Sequence, residues 1–212
     1  MNRLPGLALD ALTEIINIGV GRAAGSLNDI TGKHITLKVP DIRLVPVREL
    51  RNLVEVIDSH RRSLIVQQFH GDFTGTAALF FPTESALRLV SAITEEEEAD
   101  DGELDTIHAG TLVEIGNIVL NGVLGSLSNT LGSQISFSLP FYSALKNYND
   151  LLPDEESSTK EHMILFVETV FQIKELAVSG FLFIVFAIQT IDSFIDRMRR
   201  FVPVNDDETV CP

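Results

Sequence analysis

Residues 11–40 read ALTEIINIGVGRAAGSLNDITGKHITLKVP, and residues 111–140 read TLVEIGNIVLNGVLGSLSNTLGSQISFSLP. Aligned without a gap at an offset of 100, the two stretches agree at 11 of 30 positions, among them Leu12/Leu112, Glu14/Glu114, Ile15/Ile115, Asn17/Asn117, Ile18/Ile118, Gly32/Gly132 and Pro40/Pro140. Two unrelated segments rarely agree so well, so the chain is read as an internal duplication.

Working outward, each half follows the same order. Apolar residues at helical spacing place a helix over about Leu7–Ile30 and another over Thr106–Leu131. Gly32 and Gly132 come next, where a left-handed residue ends a helix. A strand follows in each half, His34–Val39 or Gln134–Leu139, ending at the proline. Further strands are expected at Leu53–Asp58, Leu64–His70 and Phe73–Phe81, and at His162–Lys174 (with a bulge) and Leu176–Ile188. Helices over Thr83–Ile93 and Thr190–Phe201 close the halves, and Phe73–Phe81 resembles Val178–Phe186 around Gly75 and Gly180. Short turns between successive strands imply antiparallel pairing of neighbours. The fold class expected is α/β in the loose, α+β sense: two repeats related by a pseudo-two-fold axis, one antiparallel sheet, long helices packed on it. The whole is expected to be one domain of two repeats, about 4–95 and 104–202, joined by the acidic connector Glu95–Asp105; a polar loop, Asn147–Lys160, interrupts the second half, and residues 203–212 form an acidic tail.

Composition removes several function classes. The net charge of −14 and the scarcity of clustered Lys and Arg argue against nucleic acid, whose phosphates demand them. The lone cysteine, Cys211, cannot form an internal disulfide, which fits a reducing cytoplasm. No signal-peptide pattern opens the chain, and the apolar run Leu176–Ile188 is too short to cross a bilayer, so no membrane insertion is expected. His34, His60, His70, His108 and His162 lack metal-ligand spacing, and no nucleophile-elbow motif occurs. Gly19-Val20-Gly21-Arg22-Ala23-Ala24 matches a dinucleotide fingerprint in letters only, because it lies inside a helix instead of following a strand. The glycines within both helices are read as points of close backbone approach.

What remains is Glu14 with Asn17, and Glu114 with Asn117. Three residues apart on a helix, each pair shares a face. Alone, Glu-x-x-Asn says little, since solvated Glu and Asn are common on helices. Here the pair recurs at the same place in both halves while neighbours diverge: Thr13 becomes Val113 and Arg22 becomes Gly122.

With the prolines added, both halves resemble the signature of the CheC/CheX/FliY family, D/S-x3-E-x2-N-x22-P. The first half supplies Asp10, Glu14, Asn17 and Pro40, the second Gly110, Glu114, Asn117 and Pro140. The duplication over nearly the whole chain is most similar to two-site CheC proteins. The resemblance implies a hydrolase, a phosphatase acting on the aspartyl phosphate of a CheY-like response regulator in chemotaxis or another two-component circuit. It implies that Asn17 and Asn117 orient the attacking water and that Glu14 and Glu114 dock on the receiver's active-site Lys, with Asp10 as a further partner-binding residue. It implies no cofactor or metal of the chain's own, the Mg²⁺ residing in the receiver, and a CheD-like deamidase as a second partner of a cytoplasmic monomer. Because Gly110 replaces the acidic residue, the first site is expected to be at least as active as the second. A non-catalytic adaptor for a phosphorylated receiver, or for a CheD-like deamidase, is the alternative.

Overall fold

The computed structural model describes residues 6–46, 49, 62–95, 104–144, 163–173 and 176–201. In chain order the elements are α1 (Gly6–Thr31), β1 (Ile35–Pro46), β2 (Arg62–Gly71), β3 (Gly75–Pro82), α2 (Thr83–Thr94), α3 (Thr106–Thr130), β4 (Ile135–Phe137), β5 (Phe141–Ala144), β6 (Met163–Ile173), β7 (Leu176–Phe186) and α4 (Ile188–Phe201). The expected strand at Leu53–Asp58, the polar loop, most of the acidic connector, the tail with Cys211, and His60 and His162 lie outside the described residues.

The strands form one seven-stranded sheet in the order β1-β6-β7-β3-β2-β4, with β5 also on β2. Every pairing is antiparallel. Exchange each strand for its counterpart in the other repeat (β1 for β4 and β5, β2 for β6, β3 for β7) and the order reads the same backwards. The pseudo-two-fold axis therefore passes between β3 and β7, the central pair, where Ala78 faces Phe183. Hairpins join β2 to β3 and β6 to β7 as expected. The sheet is assembled from both halves: β1 pairs with β6 of the other half, and β4 and β5 pair with β2 of the first half. Each repeat thus completes the other's sheet.

The strands expected to end at proline do not end there. β1 runs on to Pro46, with a register shift between Lys38 and Asp41 around Pro40. In the second half the strand breaks between Phe137 and Phe141, around Pro140, and resumes as β5. A proline has no N–H to give a ladder, so it is tolerated at an edge or a bulge, and β1 and β4–β5 are the two edges. The bulge foreseen in His162–Lys174 is absent from the β6–β7 pairing, which runs in unbroken register.

One sheet face carries Ile65, Phe69, Leu79, Phe81, Leu165, Val167, Leu182, Ile184 and Phe186 into a core shared with all four helices. The alternate residues Leu64, Val66, Phe80, Phe166, Phe183 and Val185 form a second cluster on the opposite face. Period-two alternation separates the two sets. On α1, Ala8, Leu12, Ile15, Ile16, Gly19, Val20, Ala23 and Leu27 are buried; on α3 the matching stripe holds Leu112, Ile115, Gly116, Val119, Val123 and Leu127. Gly32 (φ 67°) and Gly132 (φ 58°) adopt the left-handed conformation that ends each helix. α3 is long and apolar enough to cross a membrane by composition alone, yet its apolar stripe lies in the shared core.

α1 and α3 meet where a Cβ on Gly19 would lie 2.7 Å from Val123 Cα and one on Gly122 would lie 2.8 Å from Gly19 O. The expected close backbone approach thus holds for Gly19 and Gly122; Gly116 instead makes room for the Ile65 side chain, which a Cβ there would strike. It does not hold for Gly21, Gly25, Gly110 and Gly125, which face open space.

Candidate active site

Asp10, Glu14 and Asn17 lie along one exposed edge of α1. At 3.6 residues per turn this edge is roughly half a turn from the buried Leu12, Ile16 and Gly19. Burial of the apolar stripe therefore dictates that the three polar side chains face solvent. On α3, Glu114 is likewise exposed and Asn117 half-buried. Gly110 is exposed, with nothing within 4 Å of where its Cβ would stand. The structure brings each Glu together with its Asn on one helix edge and keeps the two pairs on separate helices, one per repeat.

Asp10, Glu14, Asn17 and Glu114 have no hydrogen-bond or ion-pair partner among the described residues. At the first pair a carboxylate and a carboxamide stand side by side, unengaged and solvated, open to the polar groups of a partner. The carboxylate can accept from an ammonium; the amide can donate and accept at once. Exposed apolar side chains border the edge: Leu7 and Ile18 on α1, and Ile107, the counterpart of Leu7, on α3. Among the described residues no cluster of three or more His, Cys, Asp or Glu could hold a metal ion. His34 and His70 are exposed surface residues, while His108 is buried at the start of α3. There Asp105 caps the helix, accepting from the His108 backbone N–H at 2.8 Å and meeting its Nδ1 at 2.7 Å. The first of these bonds, then the second, holds the Asp105 carboxyl below the usual Asp range.

Sequence matching follows the same geometry. The family model described as chemotaxis phosphatase CheX matches residues 63–166, and the CheC-like family model matches residues 7–43. Each matched stretch contains one Glu-x-x-Asn pair. In both repeats the chain is similar to the CheC/CheX family of chemotaxis phosphatases.

The chain is 27% identical over 169 residues to the CheY-P phosphatase CheC of Bacillus subtilis, covering 77% of this chain and 79% of that one. It is 22% identical over 132 residues to a putative CheY-P phosphatase CheC1 of Halobacterium salinarum, covering 62% of this chain and 66% of that one. In fold it is similar to FliY of Thermotoga maritima, with a TM-score of 0.74 at 20% identity, over 95% of this chain and all (100%) of that one. The FliM middle domain of H. pylori has the same architecture, with a TM-score of 0.62 at 12% identity, over 91% and 99% of the two chains.

A polar chain that sequence reasoning missed lies behind the second pair. Asn121 Nδ2 donates to Asn117 Oδ1 at 2.7 Å, and Gln67 Nε2 donates to Asn121 Oδ1 at 3.0 Å and to the Ser138 carbonyl at 2.9 Å. Gln67 is 1% exposed, and its Oε1 has no partner among the described residues. Around the first pair the equivalent positions are Gly21, on α1, and Val167, on β6 of the second repeat. The available signal was a glutamine in register with the core-facing Ile65 and Phe69 of its strand.

Proposed function

We propose that this protein hydrolyses the aspartyl phosphate of a CheY-like response regulator. Two pairs act, Glu14 with Asn17 and Glu114 with Asn117. The observation that carries the reading is the recurrence of the pair at equivalent positions of two helices, in a chain similar to a CheY-P phosphatase CheC and to a putative CheY-P phosphatase CheC1. Glu14 or Glu114 accepts from the active-site Lys of the docked receiver and sets the helix over the phosphoryl group, while Asp10 adds a second acceptor at the first site. Asn17 or Asn117 holds a water in line with phosphorus. The water oxygen forms the new P–O bond, the bond to the receiver's aspartate breaks, and a water proton leaves to solvent as inorganic phosphate is released. Such transfer is accelerated mainly by positioning and charge neutralisation. The receiver's own Mg²⁺ supplies the latter, so the chain contributes no cofactor.

The wider reading is a single duplicated unit with repeats at about 4–95 and 104–202, acting as a monomer in the cytoplasm, with a CheD-like deamidase as a second partner. The interleaved sheet, with β1 of one half on β6 of the other, supports the single unit.

A non-catalytic adaptor is the second reading. Its support is the fold shared with FliM, a protein solved in complex with FliG and with SpeE. Substoichiometric addition to a phosphorylated receiver separates the two readings. A phosphatase clears all the phosphoprotein in repeated turnovers; an adaptor leaves its lifetime unchanged or protects one equivalent.

A further inference from the structure

We infer that Gln67 and Asn121 are positioning residues that preset the Asn117 amide, making the second site a preorganised one and leaving the first without such a device. This rests on the phosphatase reading of the Glu-x-x-Asn pairs.

The direction of the relay is fixed from its far end. The Ser138 carbonyl can only accept, so Gln67 must turn its Nε2 toward it, at 2.9 Å. The same Nε2 is 3.0 Å from Asn121, which must therefore present Oδ1 to Gln67. Asn121 then has its Nδ2 for Asn117, at 2.7 Å, and Asn117 must answer with Oδ1. A backbone carbonyl of the β4–β5 edge thus selects which end of the Asn117 amide faces outward: the NH₂ end. Its donors are free for the oxygen of the attacking water or of the phosphoryl group, and a second lone pair remains on Oδ1 for a water proton. Asn17 has no such constraint. Gly21 stands where Asn121 does, and Val167 where Gln67 does.

Gln67 is otherwise hard to explain. It sits between Ile65 and Phe69 on the helix-facing side of β2, where Val167 serves in the other repeat. Burying an amide with Oε1 unpartnered opposes folding. A polar side chain kept in an apolar slot, spending its donor on a residue that spends its own on Asn117, fits selection for the geometry of the site. Fixing a reactive side chain in one orientation before the substrate arrives removes ordering from the chemical step.

The test uses the full chain in an Asn17→Ala background, so that only the second site turns over. Gln67→Val, Asn121→Ala and the near-isosteric Asn121→Asp are compared with that parent on a phosphorylated CheY-like receiver. Melting temperatures are measured alongside. The expected result is a kcat roughly tenfold lower, inside the ~100-fold that a misplacement of about 1 Å can cost, with KM little changed. The melting temperature of Gln67→Val should be equal or higher, which a merely structural role would not give. Parental kcat in the folded variants, with an inactive Asn17→Ala/Asn117→Ala control, overturns the relay alone. Wild-type turnover in that control overturns the phosphatase reading, and the relay with it.

Discussion

Gly19 and Gly122 meet backbone to backbone: a Cβ on either would stand 2.8 Å from a main-chain oxygen of the other's residue. This contact lets the two site-bearing helices share one sheet face. Adding a methyl at Gly19 forces them apart, an overpacking cost of about 1–3 kcal/mol that exceeds the ~1 kcal/mol gained in helix propensity. Gly19→Ala should therefore lower the unfolding free energy, by up to ~2 kcal/mol, in urea titration. Gly25→Ala, on open surface in the same helix, should raise it by up to ~1 kcal/mol. Equal effects of the two would show that the crossing is not tight.

Gly110 tests the asymmetry of the sites. Its Cβ position is empty space, so Gly110→Asp restores the first-repeat pattern without a clash. On the proposed mechanism, Asp10 favours docking at the first site, and the Asn121–Asn117 hydrogen bond favours turnover at the second. The isolated sites should thus differ in opposite parameters. The Glu14→Ala/Asn17→Ala variant, leaving the second site, should show the higher kcat and higher KM; the Glu114→Ala/Asn117→Ala variant should show the lower KM. Adding Gly110→Asp to the former should lower its KM by a few-fold, about 1 kcal/mol of added interaction with a docked cation.

The cap at Asp105 gives a pH dependence. Its carboxyl is held below its unfolded value, chiefly by the His108 N–H. Its contribution to stability is complete above the unfolded pKa, near 3.9, and fades as pH falls through the lower folded value. Thermal melts of wild type and Asp105→Ala should therefore differ most near neutral pH and converge below about pH 4. A difference that grows as the solution is acidified would contradict the cap.

Much of this was legible because it is local or repeated. The α1 and α3 stripes follow 3.6 periodicity, Gly32 and Gly132 mark the helix ends, and the exposure of Glu14, Asn17 and Glu114 follows from the burial of their neighbours. Strand order was less legible. Nothing near Ile35 announces that it will pair with Ile173 in the other repeat, since the two lie on opposite sides of the duplication. Pro40 marked an edge-strand irregularity, which alone does not distinguish an end from a bulge. The relay stayed hidden because Gln67, Asn121 and Ser138 come from three elements that meet only when the second repeat lays α3 over β2 of the first.

The most direct measurement of the central claim is the phosphoryl lifetime of a CheY-like receiver with catalytic amounts of wild-type protein or of Asn17→Ala/Asn117→Ala. Asn17 lies at the solvated helix edge and Asn117 is half-buried with one hydrogen bond from Asn121, so the double variant should stay folded with a melting temperature within several degrees of wild type, a loss of about 1–2 kcal/mol. Loss of a group that orients the reacting water should cost ~100-fold or more at each site. The account predicts that wild type shortens the lifetime in repeated turnovers and that the folded double variant leaves it at the receiver's own value. A folded double variant that clears the phosphoryl group as fast as wild type would contradict it.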